Sequence, residues 1–454
     1  MRDLFVVLAV FGSLPVILLE PYVGVLMWAW IGLMNPHRLA WGFARDFPFA
    51  MIIAVTTLAA MVASKERLRI PWTKEVVLLT IMIVWMTFTT VFAIHMDLAV
   101  EQLVKILKIE LMTYVAMMLI NDSRRLHHFV WVIVVSLGFF GIKGGIFTIT
   151  TGGGFHVQGP TGTFIGGNNE LGLALIMTLP LMRYLHLQTQ DKKIRLGLTV
   201  SMGLTVIAIL GTQSRGALLG ITAMALFLIW KSRKRLPLLL AIGIIVPVAL
   251  SVMPQTWYNR MGTIKTYHHD QSAEGRLHAW KFAIHEAVKR PVIGGGFRMF
   301  AGRTVAHSIY FQMLGDHGFV GLGLFLILGL AVWRAGSRVI AETKHRDDLH
   351  GLRDLASMLQ VSLVGYAVAG AFLSMAYFDF YYYVIALMVL CKVMTASELA
   401  QSESDEQVSS WRKGRVPGAW WTPVSNVMSE DNRRPAVNGR ETEANARGAS
   451  TPKS

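Results

Sequence analysis

His307 is the residue of this sequence best suited to moving protons. It opens a long apolar segment, within the sequence Ala-His-Ser-Ile-Tyr-Phe at residues 306–311. The ordinary pKa of an imidazole lies close to neutral pH, so the group can take up and release protons during catalysis. A single histidine at the start of a helix can equally cap that helix or lie at the membrane interface. His307 is therefore a candidate general base, with capping as the structural alternative.

Arg215 occupies a tight turn between two apolar segments, in the sequence Gly-Thr-Gln-Ser-Arg-Gly at residues 211–216. Charged side chains at the ends of membrane-spanning helices are costly and usually functional. The planar fork of a guanidinium matches phosphate oxygens well. The structural alternative is that Arg215 anchors the turn by extending its side chain to the membrane surface.

Three lysines lie inside apolar segments. Lys105 and Lys108 are about one helical turn apart, with Glu101 just before their segment and Glu110 inside it. Pairing with either acid favours a structural role for both lysines. Lys143 has no acid nearby in the sequence, so it is a further candidate for binding an anion.

The polar stretch of residues 254–305 carries an excess of positive charge, with eight basic residues against three acidic ones. The basic residues are Arg260, Lys265, Arg276, Lys281, Lys289, Arg290, Arg298 and Arg303. A loop of this length can cross a membrane whatever its charge, which would make the excess incidental. The alternative is an anion-binding surface at the membrane.

Within this stretch, residues 273–290 have the periodicity of an amphipathic helix that lies in the membrane interface. One face would carry the apolar side chains of Leu277, Trp280, Ile284 and Val288. Another would carry the basic side chains of His278, Lys281, His285 and Lys289. Three glycines at residues 294–296 then predict a flexible return to the membrane.

Several kinds of chemistry find no matching residues. Segments on the side of the basic loop have neither an Asp-x-Asp pair nor the spacing of metal ligands, so we expect no metal. The glycine-rich stretches lack the Gly-Lys-Ser/Thr of a nucleotide-binding loop. The single cysteine, Cys391, excludes an internal disulfide. We expect no cofactor, and an anionic group would be stabilised by arginines.

Apolar helices must position these residues. Of the 454 residues, 53% are hydrophobic and only 16% are charged, with a mean hydropathy of +0.47. A membrane-spanning helix needs about 20 apolar residues. The sequence has 13 apolar segments, at about 4–19, 21–34, 47–63, 75–94, 103–120, 127–149, 170–187, 194–211, 216–231, 236–253, 306–333, 354–374 and 377–396. The first two are short and break at Glu20 and Pro21, so they could form one bent element or a hairpin. We therefore predict an all-α polytopic membrane protein with about 12 (12–13) transmembrane helices and one large loop.

Lysine and arginine are distributed unevenly between the links. Five links, at 64–75, 121–128, 188–195, 231–235 and 334–353, hold 18 of them. The opposite short links hold only Arg38, Arg45 and Arg215. Because basic links remain in the cytoplasm, the first set is predicted to be cytoplasmic and the loop at 254–305 to face outward. This gives a transmembrane domain over residues 1–396, an outward-facing loop with its amphipathic helix at 254–305, and a disordered cytoplasmic tail at 397–454.

Together these features describe an outward-facing, basic site at the depth of the lipid headgroups. A lipid-linked anion such as a prenyl pyrophosphate suits such a site. Arginines could hold the pyrophosphate, and a neutral histidine could take a proton from an acceptor hydroxyl. The basic residues cluster in links between apolar helices, which argues against a nucleic-acid partner.

Several motifs resemble the O-antigen ligase family in their order and placement. They are Thr-Gln-Ser-Arg-Gly at residues 212–216, Glu-Gly-Arg at 274–276 and His-Ser-x-Tyr-Phe at 307–311. Trp-Ala-Trp at 28–30 and Met-Asn-Pro-His-Arg at 34–38 look more specifically like its exosortase-associated O-glycosylation ligase branch. The resemblance covers about residues 1–396.

The resemblance implies an inner-membrane glycosyltransferase with the C-type fold. It implies metal-independent, inverting transfer of a glycan from undecaprenyl pyrophosphate to the lipid A–core oligosaccharide. Arg215 and Arg276 would bind the pyrophosphate and His307 would be the general base. Asn169 and Glu170 match a recurring element of the family and are possible accessory residues, as are Lys105, Lys108 and Lys143.

Asp316 takes a place that glutamate often holds in the family. Nine residues past His307, it would lie roughly 13 Å along a helix, which argues against direct help to the base.

Two alternatives stay open at this point. Related polymerases and protein O-oligosaccharyltransferases would keep the fold and change the acceptor. A flippase for lipid-linked sugars would belong to another class, but it should show a polar site at the membrane midplane and often inverted repeats. The candidate residues cluster at one face of the membrane instead.

Overall fold

The computed structural model of the protein describes residues 1–64, 66, 68–231, 236, 239–240, 243–244, 247, 250–251, 253–262 and 271–412. The chain divides into two units, Met1–Ala400 and Gln401–Ser454. Within the described residues the secondary structure is helical throughout, without strands.

Fourteen α-helices lie in the described part of the chain. They are α1 Arg2–Leu19, α2 Pro21–Met34, α3 Phe49–Ala63, α4 Lys74–Thr90, α5 Met96–Leu119, α6 Ser123–Thr150, α7 Asn168–Gln188, α8 Lys192–Gly211, α9 Arg215–Lys231, α10 Gln255–Gly262, α11 Gln271–Lys289, α12 Ile309–Glu342, α13 His350–Gly370 and α14 Asp379–Arg412. Two short 3-10 helices, Pro36–Leu39 and Phe43–Arg45, lie between α2 and α3.

Twelve of the 13 predicted apolar segments coincide with these helices, and most of the other one, 236–253, lies outside the described residues. Among the described helices, five are long and apolar enough to cross a membrane: Arg2–Leu19, Ser123–Thr150, Lys192–Gly211, Ile309–Glu342 and Asp379–Asp405. Pro21–Met34 and Phe49–Ala63 are apolar but shorter. The described residues are thus all-α, with helices of the length and composition that can cross a membrane, and the count of 12 or 13 spans stays a prediction.

The first two helices form a hairpin rather than one bent element. Pro21 occupies the first turn of α2, where its missing N–H is tolerated, and Glu20 adopts a non-helical conformation between the helices. Both α1 and α2 pack against each other and against α3.

Arg125 contacts residues of three links, or of the helix ends beside them, at one end of the helices. Its guanidinium donates hydrogen bonds to both carboxylate oxygens of Glu66, at 2.7 and 3.0 Å, and to the Leu119 carbonyl at 2.9 Å. The Glu20 carboxylate lies 3.6 Å away. The links after α1, α3 and α5 therefore meet at what we name the Arg125 end, which agrees with the grouping of basic links in the sequence.

Other links meet at the opposite end, which we name the Arg215 end. The Asn168 side chain donates to the Thr212 carbonyl at 2.8 Å, and the Val157 amide donates to the Gly211 carbonyl at 3.0 Å. The indole of Trp257, in α10, donates to the Leu210 carbonyl at 3.0 Å. The links after α6 and α8 and the start of the 254–305 stretch thus share this end.

The segment that returns from α11 to α12 packs tightly against α12. We name residues 291–300 the strap. The amides of Gly295 and Gly296 donate to the carbonyls of Gly315 and Asp316, each at 2.8 Å. Gly294, Gly295 and Gly296 are buried, so the expectation of a flexible return is wrong: hydrogen bonds to α12 fix this segment.

The predicted tail boundary at residue 396 falls inside a helix. Helix α14 runs from Asp379 to Arg412, past that boundary. The rest of the predicted tail, residues 413–454, lies outside the described residues.

Replacement of Arg125 tests the network at the Arg125 end. Arg125→Met removes two charge-assisted hydrogen bonds to Glu66 and one to a backbone carbonyl, so we expect a loss of about 2 kcal/mol in stability. Thermal unfolding of the purified protein in detergent should show a midpoint several degrees lower. The control is Arg124→Met, at the exposed neighbouring position. Equal midpoints for the two variants would contradict the role of Arg125.

Candidate functional site

His307 lies immediately before α12, in a conformation fixed by its backbone. Its φ is +48°, in the left-handed region, and its amide donates to Ser374 Oγ at 2.8 Å. The side chain that caps α12 belongs to Ser308, whose hydroxyl accepts from the Phe311 amide at 3.5 Å. Helix capping therefore does not account for the half-buried imidazole of His307.

Trp280 attaches α11 to the start of α12. Its indole N–H donates to the Ala306 carbonyl at 3.1 Å, and its ring stacks on Phe311 with 4.9 Å between centroids. Both contacts flank His307 in the sequence. Trp280 thus fixes the position of α11 relative to the imidazole.

The face of α11 that packs inward is not the predicted apolar face. Ala279, Ala283 and Ala287 are fully buried, and these small residues let α11 approach its neighbours closely. Leu277, Ile284 and Val288, which were predicted to share the apolar face with Trp280, are exposed. The predicted apolar face was assigned to the membrane interface, and contact of these exposed side chains with lipid stays a prediction.

Arg276 lies one helical turn before Trp280 and acts on His307. Burial lowers the pKa of His307 below its ordinary value of 6.5, and the positive charge of Arg276 lowers that pKa further. The charge of Arg276 therefore acts on the imidazole of His307, which relates these two predicted residues in the structure. A lowered pKa keeps the imidazole neutral at pH 7, the form in which it can accept a proton.

Arg215 begins α9 directly after a tightly held turn. Gln213, at a φ of +52°, donates through its side chain to the Gly153 carbonyl at 2.9 Å, and Ser214 Oγ accepts from the Ala217 amide at 3.1 Å. Gly216 packs closely against the turn between α13 and α14. A Cβ added to this glycine would lie 3.2 Å from the Cβ of Phe372.

One segment therefore contacts both the start of α9 and the backbone of His307. The turn between α13 and α14, residues 371–378, supplies Phe372 against the turn of Arg215 and Ser374 to the amide of His307. Arg215, Arg276 and His307 accordingly share a scaffold at the Arg215 end.

Lys105 lies in a different charge cluster. Its ammonium lies 3.8 Å from the centroid of the Phe164 ring and interacts with Asp379, Arg298 and Glu101. The suggested pairing with Glu110 is wrong, because both carboxylate oxygens of Glu110 are buried without a hydrogen-bond partner among the described residues.

The other predicted accessory residues are placed apart from His307. Lys108 is exposed on α5, and Lys143 is exposed on the side of α6 that also exposes Ile146. Asn169 is partly buried in the first turn of α7, while Glu170 folds its carboxylate back over Gly167 at the start of that helix. Among the described residues, no contact links these four side chains to His307.

Asp316 performs a structural role that the sequence reading missed. Its buried carboxylate accepts from the Tyr377 hydroxyl at 2.8 Å and faces the Met299 amide at 3.4 Å. It therefore joins the strap to the turn that holds His307. The signal was available, because an acidic residue and His317 are adjacent inside an apolar segment.

In the described part of the chain, no three His, Cys, Asp or Glu side chains are grouped so that they could hold a metal ion.

Substitution of Trp280 tests how α11 is held. Trp280→Ala removes a hydrogen bond and a ring stack, so amide exchange across Gln271–Lys289 should be roughly tenfold faster. Trp280→Phe keeps a ring for stacking and should show a smaller effect. Hydrogen–deuterium exchange with peptide resolution measures both.

The matched control is Leu277→Ala, an exposed position on the same helix. It should leave exchange unchanged. Exchange in Trp280→Ala that equals this control would show that Trp280 does not anchor α11.

Two family models match the chain. Residues 1–190 match a family of unknown function, DUF5935, and residues 200–326 match the model described as O-antigen ligase. No curated protein matches the chain. The second match contains Arg215, Arg276 and His307, the three residues that share the scaffold at the Arg215 end. Together with the several apolar helices, this match points to a multi-pass membrane protein, and over residues 200–326 it supports an assignment to the O-antigen ligase family.

Proposed function

We propose that this protein is an O-antigen ligase that transfers a glycan from undecaprenyl pyrophosphate to the lipid A–core oligosaccharide. The transfer inverts the anomeric centre and uses no metal ion. One observation carries the proposal: Arg276 acts on a half-buried His307 whose pKa is lowered, beside the turn that supports Arg215. The family match over residues 200–326 supports a ligase-like activity.

In the proposed reaction, His307 removes the proton from an acceptor hydroxyl as that oxygen attacks the anomeric carbon. The bond between the anomeric carbon and the pyrophosphate breaks on the opposite side, and the pyrophosphate leaves with its electron pair. A positioned base contributes about 10²–10⁴-fold to such a step. Arg215 and Arg276 would stabilise the negative charge that develops on the leaving group.

An apolar groove supports a donor with a long hydrocarbon chain. A cavity of about 290 Å³ starts at Ile309 and Tyr310, directly after His307, and follows α12 as far as Trp333. Its other walls come from α13 and α14, through residues such as Leu363 and Tyr381. A prenyl chain in this groove would place its pyrophosphate at the His307 end.

The proposal includes a location and an arrangement of domains. The Arg125 end carries the basic links, so we place it in the cytoplasm and the Arg215 end in the periplasm of the inner membrane. Residues 1–396 would form the transmembrane domain, 254–305 its periplasmic loop and 397–454 the cytoplasmic tail. The partners would be the two lipid-linked substrates and the membrane itself.

The arginine variants test how the leaving group is bound. Arg215→Ala and Arg276→Ala should abolish transfer, and Arg276→Lys should lower the rate about 10²-fold or more, because an ammonium cannot reproduce the guanidinium fork. The measurement is the gel shift of lipid A–core incubated with purified protein and undecaprenyl-pyrophosphate-linked glycan.

Lys281→Ala is the control, since Lys281 is an exposed cation on the same helix as Arg276. Full activity of folded Arg276→Lys would exclude a bidentate contact.

Cells that lack the core oligosaccharide test the acceptor: a ligase leaves its glycan on undecaprenyl pyrophosphate there, whereas a polymerase still lengthens the lipid-linked chain.

The pH dependence of transfer tests His307 as the base. Its lowered pKa means that kcat/KM should be constant at neutral pH and fall only below pH 6.5. Arg276→Lys keeps the positive charge beside His307, so the acid limb of its residual activity should stay where that of the wild type lies. Initial rates from about pH 5 to 8 measure this limb. An acid limb above 6.5 in the wild type would contradict the assignment.

A further inference from the structure

A basic cavity lies between α2 and α3, within the region that matches the family of unknown function. It has a volume of about 250 Å³ and is lined by His37, Arg38, Arg45, Asp46 and Phe47, with the first residues of α3 behind them. It shares no residue with the site around His307. Its basic residues are the only Lys or Arg of the link between residues 35 and 46, beside one histidine.

The Asn-Pro-His-Arg sequence builds one wall of this cavity. Asn35 ends α2 at a φ of +50°, and its side chain donates to the Gly32 carbonyl at 2.6 Å. Pro36 then starts the 3-10 helix Pro36–Leu39, which carries both His37 and Arg38. The motif thus serves to reverse the chain and to present two basic side chains.

The start of α1 holds the wall in place. Asp3 Oδ1 accepts from the amides of Gly42 and Ala44, at 3.1 and 3.2 Å. Arg2 donates to the Leu39 carbonyl at 3.1 Å. The cavity is therefore a built feature at the beginning of an apolar helix.

The charges in the cavity favour an anion. Arg38 Nη1 lies 3.2 Å from Asp46 Oδ1, a pair that occupies one of the five N–H donors of this guanidinium. Arg45 adds a second guanidinium. His37 Nδ1 is buried and has no hydrogen-bond partner among the described residues, which is costly unless a ligand or water satisfies it.

The surroundings of the cavity are apolar. Trp41 and Phe43 are 85% and 66% exposed, as is typical of aromatic side chains at a membrane interface. Helix α1 begins at the cavity and exposes Leu4, Leu8 and Phe11. Only 17% of the 18 residues of α1 are buried in the protein. A soluble anion would contact only the basic side chains, whereas a lipid would also contact this apolar surface.

We propose that this cavity binds the phosphate of an anionic membrane phospholipid, whose acyl chains lie along α1. His37, Arg38 and Arg45 would contact the phosphate oxygens, Trp41 and Phe43 would lie at the level of the headgroup, and α1 would contact the chains. The site is independent of the proposed transferase reaction.

The test uses the full-length protein in a non-ionic detergent, with thermal unfolding and native mass spectrometry as readouts. The probes are phosphatidylglycerol, phosphatidylcholine and inorganic phosphate. Phosphatidylglycerol should raise the unfolding midpoint in a concentration-dependent way and remain bound in the mass spectrometer. Phosphatidylcholine and inorganic phosphate should do neither at the same concentrations.

Variants that should change the affinity for phosphatidylglycerol in opposite directions distinguish a role in lipid binding from a role in folding. Arg45→Gln, and the double variant with Arg38→Gln, should weaken phosphatidylglycerol binding roughly tenfold or more. Asp46→Asn removes the competing carboxylate and should strengthen it, although it also breaks the Arg38 pair. The control is Arg124→Gln, an exposed arginine at the Arg125 end, which should bind as the wild type does.

Four results would overturn the proposal. Equal binding of phosphatidylcholine would show that the basic residues do not select the lipid. Inorganic phosphate that binds as tightly as phosphatidylglycerol would show a soluble-anion site. Unchanged binding in both arginine variants, or weaker binding in Asp46→Asn, would show that the cavity holds no phosphate.

Discussion

The arrangement of the candidate site depends on a contact between two backbones that only glycine permits. Helix α12 is broken at Gly318, which has a φ of +70°, and Gly294 of the strap approaches it at a φ of +65°. An added Cβ on Gly294 would lie 2.5 Å from the amide nitrogen of Gly318. Within a membrane, the backbone groups freed by a broken helix must find partners inside the protein. The strap supplies them, since the Phe319 amide donates to the Pro291 carbonyl at 2.8 Å.

This contact determines where α11 lies. The strap follows α11 directly, and it is also tied to the end of α4, because the Ile94 amide donates to the Gly295 carbonyl at 2.8 Å. With its last residues fixed in this way and Trp280 attached to the start of α12, α11 carries Arg276 to His307. Asp316 joins the strap to the turn after α13, and Ser374 of that turn binds the amide of His307. The glycine contact, the tryptophan and the turn thus position the reactive side chains together.

Long apolar segments predicted most of the helices, because a helix in a membrane must satisfy its own backbone and be apolar over about 20 residues. The short motifs identified Arg215, Arg276 and His307, which the structure places on one scaffold. What the sequence did not predict depends on contacts between distant residues. The break at Gly318, the fixed strap and the structural role of Asp316 all require that two segments lie side by side. Lys105 shows the same limit, since its acidic neighbour Asp379 is far away in the sequence.

The central claim is that His307 removes a proton during glycan transfer at the Arg215 end. Its most direct test is ligation by purified protein in nanodiscs, with undecaprenyl-pyrophosphate-linked glycan, lipid A–core acceptor and EDTA. Wild-type protein and His285→Ala, which alters an exposed histidine of α11, should both shift the acceptor on a gel, whereas His307→Ala should not. Normal ligation by folded His307→Ala would contradict the account.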